Sequence, residues 1–178
     1  YLSISKTSPD TPFYRKITPD TINTVKHNVV VVIMESMSAA KMHRNGNPKN
    51  LTPFLDSLST RSYYFNNIYT AGIHTFNGIF STLFSFPAIF RQHPMKEIPN
   101  TKFEGISATL RKQGYSTTFF TTHDAQFDNM EGFLRANDFE NIVSQTDYPA
   151  AEIKTTLGVP DDYFFRFAIP YINQLNSR

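Results

Sequence analysis

The clearest periodicity in the chain follows Thr75, where Phe76, Ile79, Phe80, Leu83 and Phe84 recur at i, i+3, i+4, i+7 and i+8. That spacing predicts an amphipathic helix ending before Pro87. Upstream, the run Val-Val-Val-Val-Ile-Met at 29–34 is β-branched and apolar at consecutive positions, the pattern of a strand buried on both faces in a parallel sheet. Between the two, Thr52 and Pro53 open a short helix with Phe54, Leu55 and Leu58 on its apolar face. A strand is expected next, over residues 63–68. Ile106 and Leu110 mark a helix that should stop at Gly114, and residues 115–121 then read as a strand. Phe127, Met130, Phe133 and Leu134 mark a further helix, with a short strand at 141–143. Residues 161–175 read as the last helix, which Pro170 should kink or split.

Strands alternating with helices imply a doubly wound α/β architecture, a mostly parallel sheet with helices on both faces. Residues 1–27 carry Ser, Thr, Asp and Pro with little periodicity and read as an irregular lead-in over the surface of a domain formed by 28–178. Ligands in such sheets sit beyond the carboxyl ends of the strands. Chemistry is therefore expected at Glu35, along 70–75 and along 121–129.

Composition narrows the classes. With 17 Phe and 9 Tyr among 178 residues, the core should be rich in aromatic rings. Net charge is only +2 and the basic residues are scattered, so no nucleic-acid footprint stands out. Cysteine is absent, which removes disulfides, thiolate metal sites and cysteine nucleophiles. The longest apolar run falls far short of the roughly 20 residues of a membrane helix. The chain starts at Tyr1 without Met and reads as a processed piece, so membrane segments could lie upstream.

Glu35 ends the apolar run, and a carboxylate there is costly to bury unless a cation or a set of donors meets it. By position alone it either reaches solvent or holds a metal. Thr75, at the start of the amphipathic helix, stands where backbone N–H groups and the helix dipole favour a phosphate or sulfate. Taken singly it reads as an ordinary N-cap. The combination changes that reading. A threonine hydroxyl is a poor nucleophile at neutral pH, one direct way to activate it is a divalent metal that lowers its pKa, and a carboxylate suits such a metal. Both groups are expected at one sheet edge. His74 and His123 could approach a phosphate from that rim, Asp124, Asp128 and Asn129 are weaker candidates, and His27, His43 and His93 read as solvated loop residues.

The ordered strings Asn28-Val-Val-Val-Val-Ile-Met-Glu-Ser-Met-Ser-Ala39, Leu51-Thr-Pro-Phe-Leu-Asp-Ser-Leu58 and Tyr64-Phe-Asn-Asn-Ile-Tyr-Thr-Ala-Gly-Ile-His-Thr75 resemble the opening of the lipoteichoic acid synthase-like proteins, which have the sulfatase fold of the alkaline phosphatase superfamily. The segments Phe127-Asp-Asn-Met130 and Gly158-Val-Pro-Asp-Asp162 also look familial. The resemblance runs from Asn28 to the C-terminus. It implies an α/β/α sandwich on the outer face of the cytoplasmic membrane, tethered by N-terminal helices. It further implies that Glu35 is a metal ligand and that Thr75 is the nucleophile, also metal-bound. One divalent ion, manganese, magnesium or zinc, is implied, with an Asp-His ligand pair beyond this chain, which would make it the first half of a catalytic domain. The implied reaction takes a phosphoglycerol-type head group from a membrane phospholipid, holds it on the threonine and passes it to a glycolipid or glycan.

One departure concerns the head group: members that use phosphatidylglycerol commonly carry an aromatic residue and an arginine where this chain has Phe127-Asp128-Asn129-Met130. Phosphoethanolamine transfer, phospho- or sulfo-ester hydrolysis, and a non-catalytic binding domain of the same fold are the competing readings. A formylglycine sulfatase is disfavoured, because residues 75–79 lack its Cys/Ser-x-Pro-x-Arg motif. A sheet edge left open by a half-domain would invite self-association.

Overall fold

The computed structural model describes residues 5–6, 15–16, 26–87, 93–97 and 100–175. The chain divides into two compact units, Tyr1–Val32 and Ile33–Arg178. In the first, β1 (Ser5–Lys6) pairs antiparallel with β2 (Arg15–Lys16), Ser5 opposite Lys16. The sequence, read there as irregular, gives no sign of this pairing; the rest of 1–25 lies outside the described residues. Residues 29–32 take no regular structure and are exposed.

The second unit opens with Ile33 and Met34, exposed by 40% and 51%, so the strand expected over 29–34 does not form. A strand exists only where a neighbour satisfies its backbone groups, and no described strand pairs with this run. Residues 63–68, the second missing strand, are also irregular, with Tyr63, Phe65 and Ile68 exposed. Between these segments, α1 (Pro53–Ser59) starts with Pro at its first turn. Asp56 of α1 accepts bonds from the amides of His43 and Arg44 at 3.2 and 2.9 Å and from the Thr52 hydroxyl at 2.9 Å. Those amide bonds, led by that of Arg44, hold its carboxyl below the ordinary value despite some desolvation.

The helix α2 (Thr75–Phe84) forms where periodicity places it and buries Ile79, Phe80, Leu83 and Phe84. A single turn, α3 (Pro94–Glu97), follows; it is too short to leave a periodic trace. Next come α4 (Ile106–Lys112), then Gly114 at a left-handed φ of 83°, then β3 (Thr118–Phe120). A 3-10 turn at Phe127–Asn129 leads into α5 (Met130–Ala136). After it, β4 (Asn141–Val143) pairs parallel with β3, Thr118 opposite Asn141. Finally α6 (Asp161–Leu175) runs through Pro170 as one helix. The proline deprives only the carbonyl four residues back, at exposed Arg166, of its amide partner.

The β3–β4 pair separates two apolar clusters, and alternation along each strand explains why. Phe119 and Ile142 pack with Ile79, Phe80, Leu83, Phe84, Met95, Phe133 and Leu134 on one face. Phe120 and Val143 pack with Phe164, Phe167 and Tyr171 of α6 on the other. The result is the expected α/β layering with helices on both faces. Phe80, Phe84, Phe103 and Phe133 form a ring cluster with centroids 5.2 to 6.2 Å apart, the offset and edge contacts that aromatic quadrupoles favour.

Candidate functional site

The first turn of α2 is organised by its neighbours. His74 occupies the N-cap with extended backbone angles, so Thr75 is the first helical residue and the cap reading of Thr75 is corrected. The buried Asn77 takes the capping role from within: its Oδ1 accepts from the His74 amide at 3.1 Å. Gly72 lets the loop approach closely, since a Cβ there would lie 2.6 Å from the Asn77 side chain. Sequence reasoning missed Asn77, although a polar residue three positions after the cap is a capping-box signal.

Freed from capping, the Thr75 hydroxyl donates to Glu35 Oε2 at 2.7 Å. The Ser36 hydroxyl donates to the other carboxylate oxygen, Oε1, at 3.2 Å. Ser36 has a left-handed φ of 52°, which turns the chain sharply just after Glu35. Both Glu35 and Thr75 are solvent-exposed. Two hard oxygens so close together are the donor type that a divalent cation such as magnesium or manganese takes. No group of three His, Cys, Asp or Glu side chains able to hold a metal occurs among the described residues.

From Thr75 a rim of contacts leads outward. The Phe76 ring stacks with His74 at 5.5 Å and with His93 at 3.9 Å between centroids. His93 is only 16% exposed in its side chain, which corrects its reading as a solvated loop residue, and its Nε2 lies 3.1 Å from Asp128 Oδ2. Lys96 Nζ contacts the other Asp128 oxygen at 2.6 Å. Burial pushes the Asp128 carboxyl up, but Lys96 and His93 outweigh it and hold the group below its ordinary value. Asn129 donates from Nδ2 to the Met95 carbonyl at 2.8 Å. Asp128 and Asn129 both have left-handed φ, 57° and 55°, a conformation Asp and Asn tolerate better than most residues. Their side chains are therefore engaged by the protein itself. Lys96 and His93 carried no sequence signal, because the contact crosses more than thirty positions.

His123 follows β3 as expected. Its Nδ1 lies 3.0 Å from the Asp124 carbonyl, and its ring meets Phe127 edge-on at 5.7 Å. Asp124 Oδ1 accepts from the Gln126 amide at 2.9 Å and so shapes the same loop. His43 is exposed, with Nδ1 2.8 Å from the Asn47 carbonyl, and His27 is exposed.

Two solved structures resemble this one. A protein in the alkaline phosphatase superfamily from Vibrio parahaemolyticus has a TM-score of 0.67 and 30% identity, over 75% of this chain and 32% of that one. The lipoteichoic acid synthase LtaP from Listeria monocytogenes has a TM-score of 0.68 and 20% identity, over 74% of this chain and 32% of that one. The chain thus spans about a third of the length of each, and its layers are those of the alkaline phosphatase-like fold. Residues 27–178, most of the chain, match the family described as Sulfatase, and the chain belongs to that family.

Proposed function

We propose that this chain carries the nucleophile half of a metal-dependent transferase that moves a phosphodiester head group, of the phosphoglycerol type, from a membrane phospholipid to a glycolipid or glycan. The observation that carries the reading is the 2.7 Å approach of the Thr75 hydroxyl to Glu35 at the start of α2. Glu35 and Thr75 are the residues that would hold the ion, manganese, magnesium or zinc. Bound there, it lowers the pKa of the hydroxyl and offsets charge on the phosphoryl oxygens.

The chemistry then falls to Thr75. Its Oγ1 forms a bond to phosphorus as the bond from phosphorus to the lipid alcohol breaks, and that alcohol leaves with the proton the threonine gave up. In the second half an acceptor hydroxyl attacks the same phosphorus, and Thr75 regains a proton as it departs. Throughout, the amide end of α2 faces the region where negative charge builds up, which favours the transition state. A lipid donor and a glycan acceptor imply a site outside the cytoplasmic membrane.

The test is mass spectrometry of the protein at its full natural length, incubated with vesicles of phosphatidylglycerol or phosphatidylethanolamine. A phosphodiester-linked adduct on Thr75 is expected, with its mass naming the head group. An adduct on another residue, or normal turnover by Thr75→Ala, overturns the reading.

A further inference from the structure

The Gly158-Val-Pro-Asp-Asp162 segment and Tyr148 have no role in the transfer chemistry above, yet both converge on the loop that carries His123. Three successive carbonyls of that loop are each held by a different donor. Thr121 O accepts from the Tyr148 hydroxyl at 2.9 Å, Thr122 O from the Val159 amide at 3.2 Å, and His123 O from the Gln145 amide at 3.2 Å. In return the Thr122 hydroxyl donates to the Leu157 carbonyl at 3.1 Å.

The approach of the Gly158 turn leaves no room for a side chain. A Cβ on Gly158 would lie 1.7 Å from the Thr122 carbonyl oxygen and 2.9 Å from the His123 α-carbon. Its φ of +89° is also one that L side chains rarely adopt. Tyr148 is 5% exposed, and burial, with Asp147 and Tyr163 nearby, raises its pKa, so the hydroxyl stays protonated and donating. A loop pinned at three consecutive peptide groups has little freedom left.

The consequence reaches the imidazole. The partner of His123 Nδ1 is the Asp124 carbonyl, which can only accept, so the bond at 3.0 Å requires the proton on Nδ1. Neutral His123 then keeps a lone pair on Nε2, which no described residue bonds. We propose that Tyr148 and Gly158 are positioning residues for His123, fixing its ring as the Nδ1–H tautomer so that Nε2 stands as an acceptor for a substrate O–H or N–H. The proposal rests on the transfer reading for its substrate, while the tautomer itself is a property of this chain alone.

The experiment is long-range proton–nitrogen NMR of the imidazole rings at pH 8, well below the melting temperature, on the wild-type chain, Tyr148→Phe and Gly158→Ala. The wild type should display the Nδ1–H pattern for His123. Tyr148→Phe should lose it to a mixture of both tautomers and shift the Thr122 and His123 amides, with His43 as an unaffected internal control. Should Gly158→Ala fail to fold, Tyr148→Phe decides alone. An Nε2–H ring in the wild type, or an unchanged Nδ1–H pattern in Tyr148→Phe, overturns the proposal. Failure of the Thr75 adduct would instead sink the transfer reading and leave this result standing.

Discussion

The hydroxyl of Thr75 donates to the carboxylate of Glu35 at 2.7 Å across forty positions of sequence. The contact joins the turn after an irregular apolar run to the first residue of the amphipathic helix α2. Neither residue is buried, so the pair contributes little to stability, of the order of a few tenths of a kcal/mol for exposed groups. In the proposed transfer its role is chemical, a hydroxyl and a carboxylate meeting at the start of α2.

Metal binding follows from the number of oxygens. Glu35 and Thr75 supply two, whereas a catalytic metal commonly takes about three protein ligands, and no cluster of three candidate side chains exists among the described residues. Calorimetric titration of this chain with manganese or zinc should therefore detect no micromolar binding. Micromolar binding that vanishes in Glu35→Ala would mean that a competent site is built by these residues alone.

Asp128 links acidity to stability. Its folded pKa lies below the ordinary 3.8, so the carboxylate contributes stability that is fully present above the unfolded value and is lost as pH falls through the lower folded one. Urea unfolding should find Asp128→Asn less stable than wild type at pH 6, with the gap closing as the pH is taken well below 3.8. A gap of equal size at both extremes would show that the charge is immaterial to the contact with Lys96 and His93.

Asn137 is fully buried and fully bonded. It accepts from the Phe103 amide at 2.7 Å and donates to the Thr101 and Phe133 carbonyls at 3.2 and 2.9 Å, while its own carbonyl accepts from Ser107 at 2.6 Å. Asn137→Ala strips partners from three backbone groups and opens space, and should cost about 3 kcal/mol. The exposed Lys112–Glu104 pair offers the contrast: Glu104→Gln should change stability by less than about 1 kcal/mol. Chemical denaturation of both variants measures the difference, and equal losses would contradict this ranking.

Local pattern determined a good part of this protein. The repeat after Thr75 places α2, the positions Ile106 and Leu110 place α4, and the helix over Asp161–Leu175 and the strand over Asn141–Val143 have the bounds their patterns imply. The closeness of Glu35 and Thr75 was also legible, on the expectation that both stand at element ends; the contact is there at 2.7 Å, although only Thr75, the first residue of α2, stands at one. What the pattern could not supply was partnership. An apolar β-branched run at 29–34 has the propensity for a strand, but a strand also needs a neighbour to bond, and that depends on residues far away in sequence. The same holds for His93 against Asp128, for His74 displacing Thr75 from the cap, and for Gly158 lying against Thr122. Periodicity is a property of neighbours along the chain, whereas these contacts arise only once packing brings distant segments together.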